Sequence, residues 1–159
     1  MRIMIKPLGI AATVVLVWLS LRHFGVYNPE WKADEGVMSS GTIAVLGIMY
    51  ALLAATVLGT VWSHWRECND AAEEKDETVQ RKFWRLAAKK LPATVSTMLG
   101  LFSLMLVGAF FLISYKTVAT GTYSVGSIAL GLALIREVIS DLADPLTGVW
   151  NVENPPPRP

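Results

Sequence analysis

The stretch Gly36–Ser63, GVMSSGTIAVLGIMYALLAATVLGTVWS, contains no Asp, Glu, Lys, Arg or His and is bracketed by Glu35 and His64. At 1.5 Å per residue its apolar centre, Ile43 to Trp62, matches a hydrocarbon core of about 30 Å, which identifies a membrane-spanning helix rather than a buried soluble one. Gly47, Ala51, Ala55, Gly59 and Ser63 recur at every fourth position. That spacing lays small side chains along one inclined ridge and lets another helix approach closely. The fold class follows: an all-α integral membrane protein assembled by helix packing.

Working outward, three further segments are long and apolar enough to span. Met1–Val26 begins with Arg2 and Lys6 and continues through Leu8–Leu21. It resembles a signal peptide, but Trp18-Leu19-Ser20-Leu21-Arg22-His23 has no A-x-A-like cleavage site, so an uncleaved signal anchor is expected. Leu91–Tyr115 is free of charge, and Pro92 falls where a first helical turn tolerates it. Ser96, Gly100 and Gly108 give this helix small packing positions of its own. The last segment, Tyr123 to about Ala143, admits Arg136, Glu137 and Asp141 near its end, and spans if those charges reach the interface while Val125–Ile135 fills the core. The spans are placed at residues 5–26, 40–64, 91–115 and 123–143, in two hairpins, all within a single membrane domain, residues 1–159. Lys116–Thr122, which contains Gly121, reads as the turn between the last two.

Residues 65–90 form the one long polar segment. Asp70 followed by Glu73 resembles an N-cap box, and Val79, Phe83, Leu86 and Lys90 fall at helical spacing, which predicts a short amphipathic cytosolic helix over Asp70–Lys90. Acidic residues come first and Arg81, Lys82, Arg85, Lys89 and Lys90 last, in the order that suits the helix dipole. That basic end forms an interface for anionic headgroups, or else for a docking partner. The N-terminus, this segment and the C-terminal end carry most of the Lys and Arg, whereas Arg22, Lys32 and Lys116 lie opposite, so both termini are expected in the cytosol. The aromatic residues agree with this: Phe24, Tyr27, Trp31, Tyr115 and Tyr123 mark an outer belt, and Trp62, Trp65, Trp84 and Trp150 an inner one. The tail, residues 144–159, turns at Asp144-Pro145, runs on as an apolar extended piece, and ends in prolines that exclude a helix. An ordered tail would be held by the protein itself or by a neighbour.

Composition narrows the function. Of 159 residues 53% are hydrophobic and the formal charge is +1, so no global field points to nucleic acid. The first three spans lack a mid-depth ionisable group, which argues against proton-coupled transport and leaves room for a passive pore. Thr13, Thr56, Thr60, Ser96, Thr97 and Ser103 are expected to bond their own backbone. His23 and His64 lie at opposite membrane faces and cannot share a metal, and Cys68 alone makes no zinc site; no metal and no cofactor is expected, a single axial contact to a haem-type pigment being a remote option. No P-loop, catalytic triad or paired carboxylates can be quoted, so an enzyme is not expected. Glu137, Asp141 and Asp144 share an acidic face at the inner membrane end, where pairing with Arg85, Lys89 and Lys90 would balance the helix dipole, or where an oligomer would turn them into a ring at a pore mouth.

Ala51-Leu52-Leu53-Ala54 onward to Val61-Trp62-Ser63-His64-Trp65-Arg66-Glu67, and Leu142-Ala143-Asp144-Pro145-Leu146-Thr147-Gly148-Val149-Trp150-Asn151-Val152, resemble the bestrophin-like family of uncharacterised bacterial membrane proteins. In that family a helix continues from the bilayer into a charged cytosolic segment, and an Asp-rich helix end leads into Pro, an apolar residue, a polar residue and Gly. The middle segment is much longer there, and Leu146 stands where Phe is usual. The resemblance implies a bacterial inner-membrane location and an oligomer, with anion conduction as one outcome. Two readings remain open: a small structural or assembly subunit of a larger membrane complex, with other membrane-protein subunits as partners in the lipid bilayer, and a homo-oligomeric channel. A phage-type holin fits the size and span count but not the tail.

Overall fold

The computed structural model describes residues 2–25, 36–73, 77–89, 91–113, 115, 117–147, 149–152 and 155. Among them are five helices and no strand: α1 (Arg2–His23), α2 (Gly36–Glu73), α3 (Glu77–Ala87), α4 (Ala93–Phe111) and α5 (Val118–Leu142). All but α3 are long and apolar enough to cross a membrane. The chain is therefore an all-α protein whose four apolar helices fit a multi-pass membrane protein.

The helices do not pack in chain order. α5 lies along α1, α2 lies along α4, both α2 and α4 also touch α5, and α3 rests on α2. The main core is drawn from three helices: Tyr50, Ala54, Val57 and Val61 of α2, Leu99 and Leu106 of α4, and Leu132, Ile139 and Leu142 of α5. Outward-facing Leu16, Leu52, Leu101, Leu104 and Leu112 are largely exposed. Water would oppose that exposure, whereas lipid tails are as apolar as the side chains themselves.

Two boundaries differ from those read in the sequence. α2 does not end near His64. Its 38 residues extend about 57 Å, nearly twice a hydrocarbon core, so its C-terminal turns project beyond the bilayer. Asp70 is thus inside α2 and caps nothing, and Asn69 Nδ2 donates to Glu73 Oε1 at 3.1 Å along the continuing helix. The reason is burial. Cys68 and Ala71 form a second small core with Phe83 of α3 and Val152 of the tail, and that packing outweighs a local capping preference. The helix that follows, α3, is correspondingly shorter than the one expected over Asp70–Lys90, with Val79, Phe83 and Leu86 turned to this core and Arg81, Lys82 and Arg85 exposed.

The second difference is Gly121, which belongs to the first turn of α5 rather than to a connecting turn. Thr117 is the N-cap, its Oγ1 accepting from Thr120 N–H at 3.1 Å. At the far end of α1, Gly25 takes a φ of 67°, a left-handed conformation that closes the helix at little steric cost.

Candidate functional site

The chemistry-bearing residues gather where α5 ends. Glu137 pairs with Lys6 Nζ of α1 at 3.1 Å, so among the described residues its cation comes from the first helix and not from Arg85 or Lys89. Asp141 is satisfied without a cation: its Oδ1 and Oδ2 each accept from Val149 N–H at 3.1 Å, and Oδ2 accepts from Trp150 N–H at 3.1 Å. Asp144 Oδ1 accepts from Leu146 N–H at 3.2 Å, the local turn an aspartate before proline favours. The expected pairing with the basic segment is absent among the described residues because the backbone of the tail and Lys6 reach these carboxylates first. Arg81, Lys82, Arg85 and Lys89 remain exposed on α3 and just beyond it, and Lys90 lies outside the described residues.

The segment after α5 folds back on the protein itself. Val152 N–H donates to Pro145 C=O at 2.9 Å, closing a loop, and Val152 is buried against Cys68 and Phe83. Trp65 Nε1 donates to the Trp150 carbonyl. Trp62 stacks on Trp65 with ring centroids 5.2 Å apart, and Trp150 meets Trp62 edge-on at 6.4 Å. Three tryptophans expected only to share a depth are thus in direct contact, joining α2 to the tail, which Asp141 in turn ties to α5. The prolines from Pro156 onward lie outside the described residues.

Beside this junction is a cavity of about 310 Å³ lined by Ala87, Leu91, Ser96, Leu99, Arg136, Ile139, Ser140, Ala143 and Asp144. Arg136 is exposed to it and makes no ion pair with any described residue. A β-carbon on Gly100 would lie 3.9 Å from Arg136 Nη1, so the guanidinium rests over the bare backbone of α4. Gly100 thus faces a cation within the chain, at ordinary contact distance, rather than a second helix.

The small-residue positions divide sharply. Ala51, Ala55, Gly59 and Ser63 are exposed and Gly47 is half-exposed, and a β-carbon on Gly47, Gly59 or Gly108 would meet nothing within 4 Å. The ridge on α2 thus faces away from its own bundle, opposite Tyr50, Ala54, Val57 and Val61. Close packing inside the chain is carried by residues outside the four-residue pattern. A β-carbon on Gly121 would lie 2.4 Å from Trp18 Cη2, and one on Gly126 would lie 3.3 Å from Val15 Cγ2. Trp18, 2% exposed, also meets Tyr115 edge-on at 5.9 Å and carries Arg22 over its ring at 5.6 Å. The available signal was the pairing of a lone tryptophan near the end of α1 with a glycine in the first turn of α5, which only the α1–α5 contact makes visible.

Most membrane hydroxyls bond the backbone of the preceding turn, as expected: Thr13 to Gly9, Thr56 to Leu52, Thr60 to Thr56, Thr97 to Ala93 and Ser103 to Leu99. Ser96 instead lines the cavity. His64 Nε2 lies 4.0 Å from Cys68 Sγ, one turn on, and no cluster of three metal-ligating side chains occurs among the described residues. Burial, reinforced by the charge of Glu67, pushes the Cys68 thiol up to about 11 in the part of α2 beyond the bilayer. It is a packed, protonated thiol at neutral pH. No protein-family model, curated protein or solved structure matches this chain.

Proposed function

We propose that this chain is a small non-catalytic subunit that organises a larger complex in the bacterial inner membrane, with both termini in the cytosol. The observation that carries the reading is the outward ridge Gly47-Ala51-Ala55-Gly59-Ser63, a helix-packing surface that the chain's own bundle leaves uncovered. A stripe of small residues favours close approach of a second backbone, and interhelical van der Waals contact is the main attraction available in lipid. The lock of Asp141, Trp65 and Trp150 on the tail supports the same role, because it holds the emerging end of α2 and the tail in one fixed surface for a neighbour. The excess of Lys and Arg on the side of both termini supports the orientation.

The test uses the tagged full chain, released in mild detergent, with Ala51→Leu and Ala55→Leu as perturbations. The expected outcome is fixed stoichiometry with other membrane proteins, lost in the leucine variants while the helix content and melting of the isolated chain are unchanged. A pure homo-oligomer that passes ions in liposomes would instead establish the channel reading.

A further inference from the structure

Arg136 is a charge on a membrane-spanning helix with no ionic partner among the described residues. Its neighbour Glu137 is taken by Lys6, and Asp144 lies in the turn beyond the end of α5, which Leu142 reaches about 9 Å further along the helix. An unpaired guanidinium at that depth is costly unless an anion from outside the chain meets it. The cavity supplies the place. Arg136, Ser96 and Ser140 give its wall donors, Leu91, Leu99 and Ile139 give it apolar sides, and Asp144, beyond the helix end, adds a carboxylate. Its volume, about 310 Å³, is at the small end of ligand pockets and suits a headgroup rather than a whole lipid.

The axial order of these groups identifies the headgroup. Arg136 precedes the last residue of α5, Leu142, by about 9 Å, and Asp144 follows it, so the cation is deeper and the carboxylate nearer water. In an aminophospholipid the phosphate is attached at the glycerol, and the primary ammonium lies further out. We propose that the cavity is a site for the headgroup of a zwitterionic aminophospholipid of the phosphatidylethanolamine type, with its phosphate on Arg136 and the two serines and its ammonium toward Asp144. Asp144 keeps an acceptor for this, because its Oδ1 bonds Leu146 N–H and its Oδ2 has no bond to a described residue. Leu101 and Ile135, next in sequence to Gly100 and Arg136, are exposed apolar surface on α4 and α5.

The full chain in mild detergent is incubated with phosphatidylethanolamine, phosphatidylcholine, phosphatidylglycerol or inorganic phosphate, and retained ligand is read by native mass spectrometry. Retention of phosphatidylethanolamine is expected to exceed that of the other two lipids about tenfold, the discrimination of one charge-assisted hydrogen bond. Arg136→Gln is expected to cut retention of all three lipids about tenfold, Arg136→Lys to keep part of it, and Asp144→Asn to equalise phosphatidylethanolamine and phosphatidylglycerol. Asn keeps the acceptor for Leu146 N–H, so the turn survives. Equal retention of the choline and ethanolamine lipids by the unaltered chain overturns the proposal, as does retention that Arg136→Gln and Arg136→Lys both leave intact. Binding of inorganic phosphate as tight as that of the lipid would assign the site to a free anion and overturn the lipid assignment.

Discussion

Gly121→Ala perturbs the closest contact in the bundle. Its new β-carbon would lie 2.4 Å from Trp18 Cη2 and 2.5 Å from Cζ2, with Tyr115 Cδ2 at 3.0 Å. Apolar carbons rest at about 3.5–4.0 Å, so the indole must retreat by roughly 1 Å or α1 must lift from α5. The ring has little freedom to retreat: it is 2% exposed and held edge-on by Tyr115. Overpacking of this kind costs about 1–3 kcal/mol, and the better helix propensity of alanine returns up to about 1 kcal/mol, leaving a net loss of about 0–2 kcal/mol, at its upper end for a ring so confined. The assay is reversible unfolding in mixed micelles followed by circular dichroism, run also on Trp18→Phe and on the double variant. Phenylalanine lacks Cζ2 and Cη2, so the double variant is expected to lose at least about 1 kcal/mol less than the sum of the singles. Gly126→Ala, whose β-carbon meets Val15 at 3.3 Å, should cost little, and Gly59→Ala, facing open space, nothing within the isolated chain. A Gly121→Ala protein as stable as the parent, or a double variant that is merely additive, would refute the α1–α5 contact as described.

The hydroxyl of Tyr50 is buried in the main core with no hydrogen-bond partner among the described residues. Tyr50→Phe is therefore expected to stabilise the bundle by about 1 kcal/mol in the same unfolding assay, and a loss of stability would show that the hydroxyl has a partner. Asp141→Ala removes the acceptor of Val149 and Trp150 N–H and should free the tail at a cost of about 1–2 kcal/mol, read as faster proteolysis after Asp144 with α1–α5 packing intact. Cys68, with a thiol pushed up to about 11, stays protonated in the folded chain while the unfolded thiol ionises above its ordinary 9.0. The unfolded state thus binds fewer protons between pH 9 and 11, so this group's contribution to stability is unchanged below about pH 9 and falls as pH rises through that window. Cys68→Ser should flatten that fall, and in the parent chain maleimide should label Cys68 only on unfolding.

The span count was legible because charge-free runs of bilayer length have one physical solution. Helix identity is local, written in consecutive residues such as Gly36–Ser63. Partner choice is not local. The four-residue period at Gly47–Ser63 announces a packing ridge, but the same period cannot say whether the packed surface lies inside the chain, and here it lies outside. Gly121 carries the tightest contact from within a stretch, Lys116–Thr122, whose polar and glycine content reads as a turn. Helical spacing groups Glu137, Asp141 and Asp144 at the end of α5 but says nothing of their partners: Lys6 is 131 positions away from Glu137, and the amides that bind Asp141 belong to a tail with no periodicity to read. Arg136 was placed at the interface by the need to keep charge out of the core, whereas the cavity around it depends on how α4 and α5 meet.

Single-cysteine cross-linking in native membranes tests the central claim most directly, with Cys68→Ser as background and Ala55→Cys or Gly59→Cys on the ridge against Ala54→Cys in the core. Both ridge positions are expected to join the chain to a different membrane polypeptide while the core position does not. Ridge cysteines that link only to copies of the same chain, or that meet lipid probes alone, would contradict it.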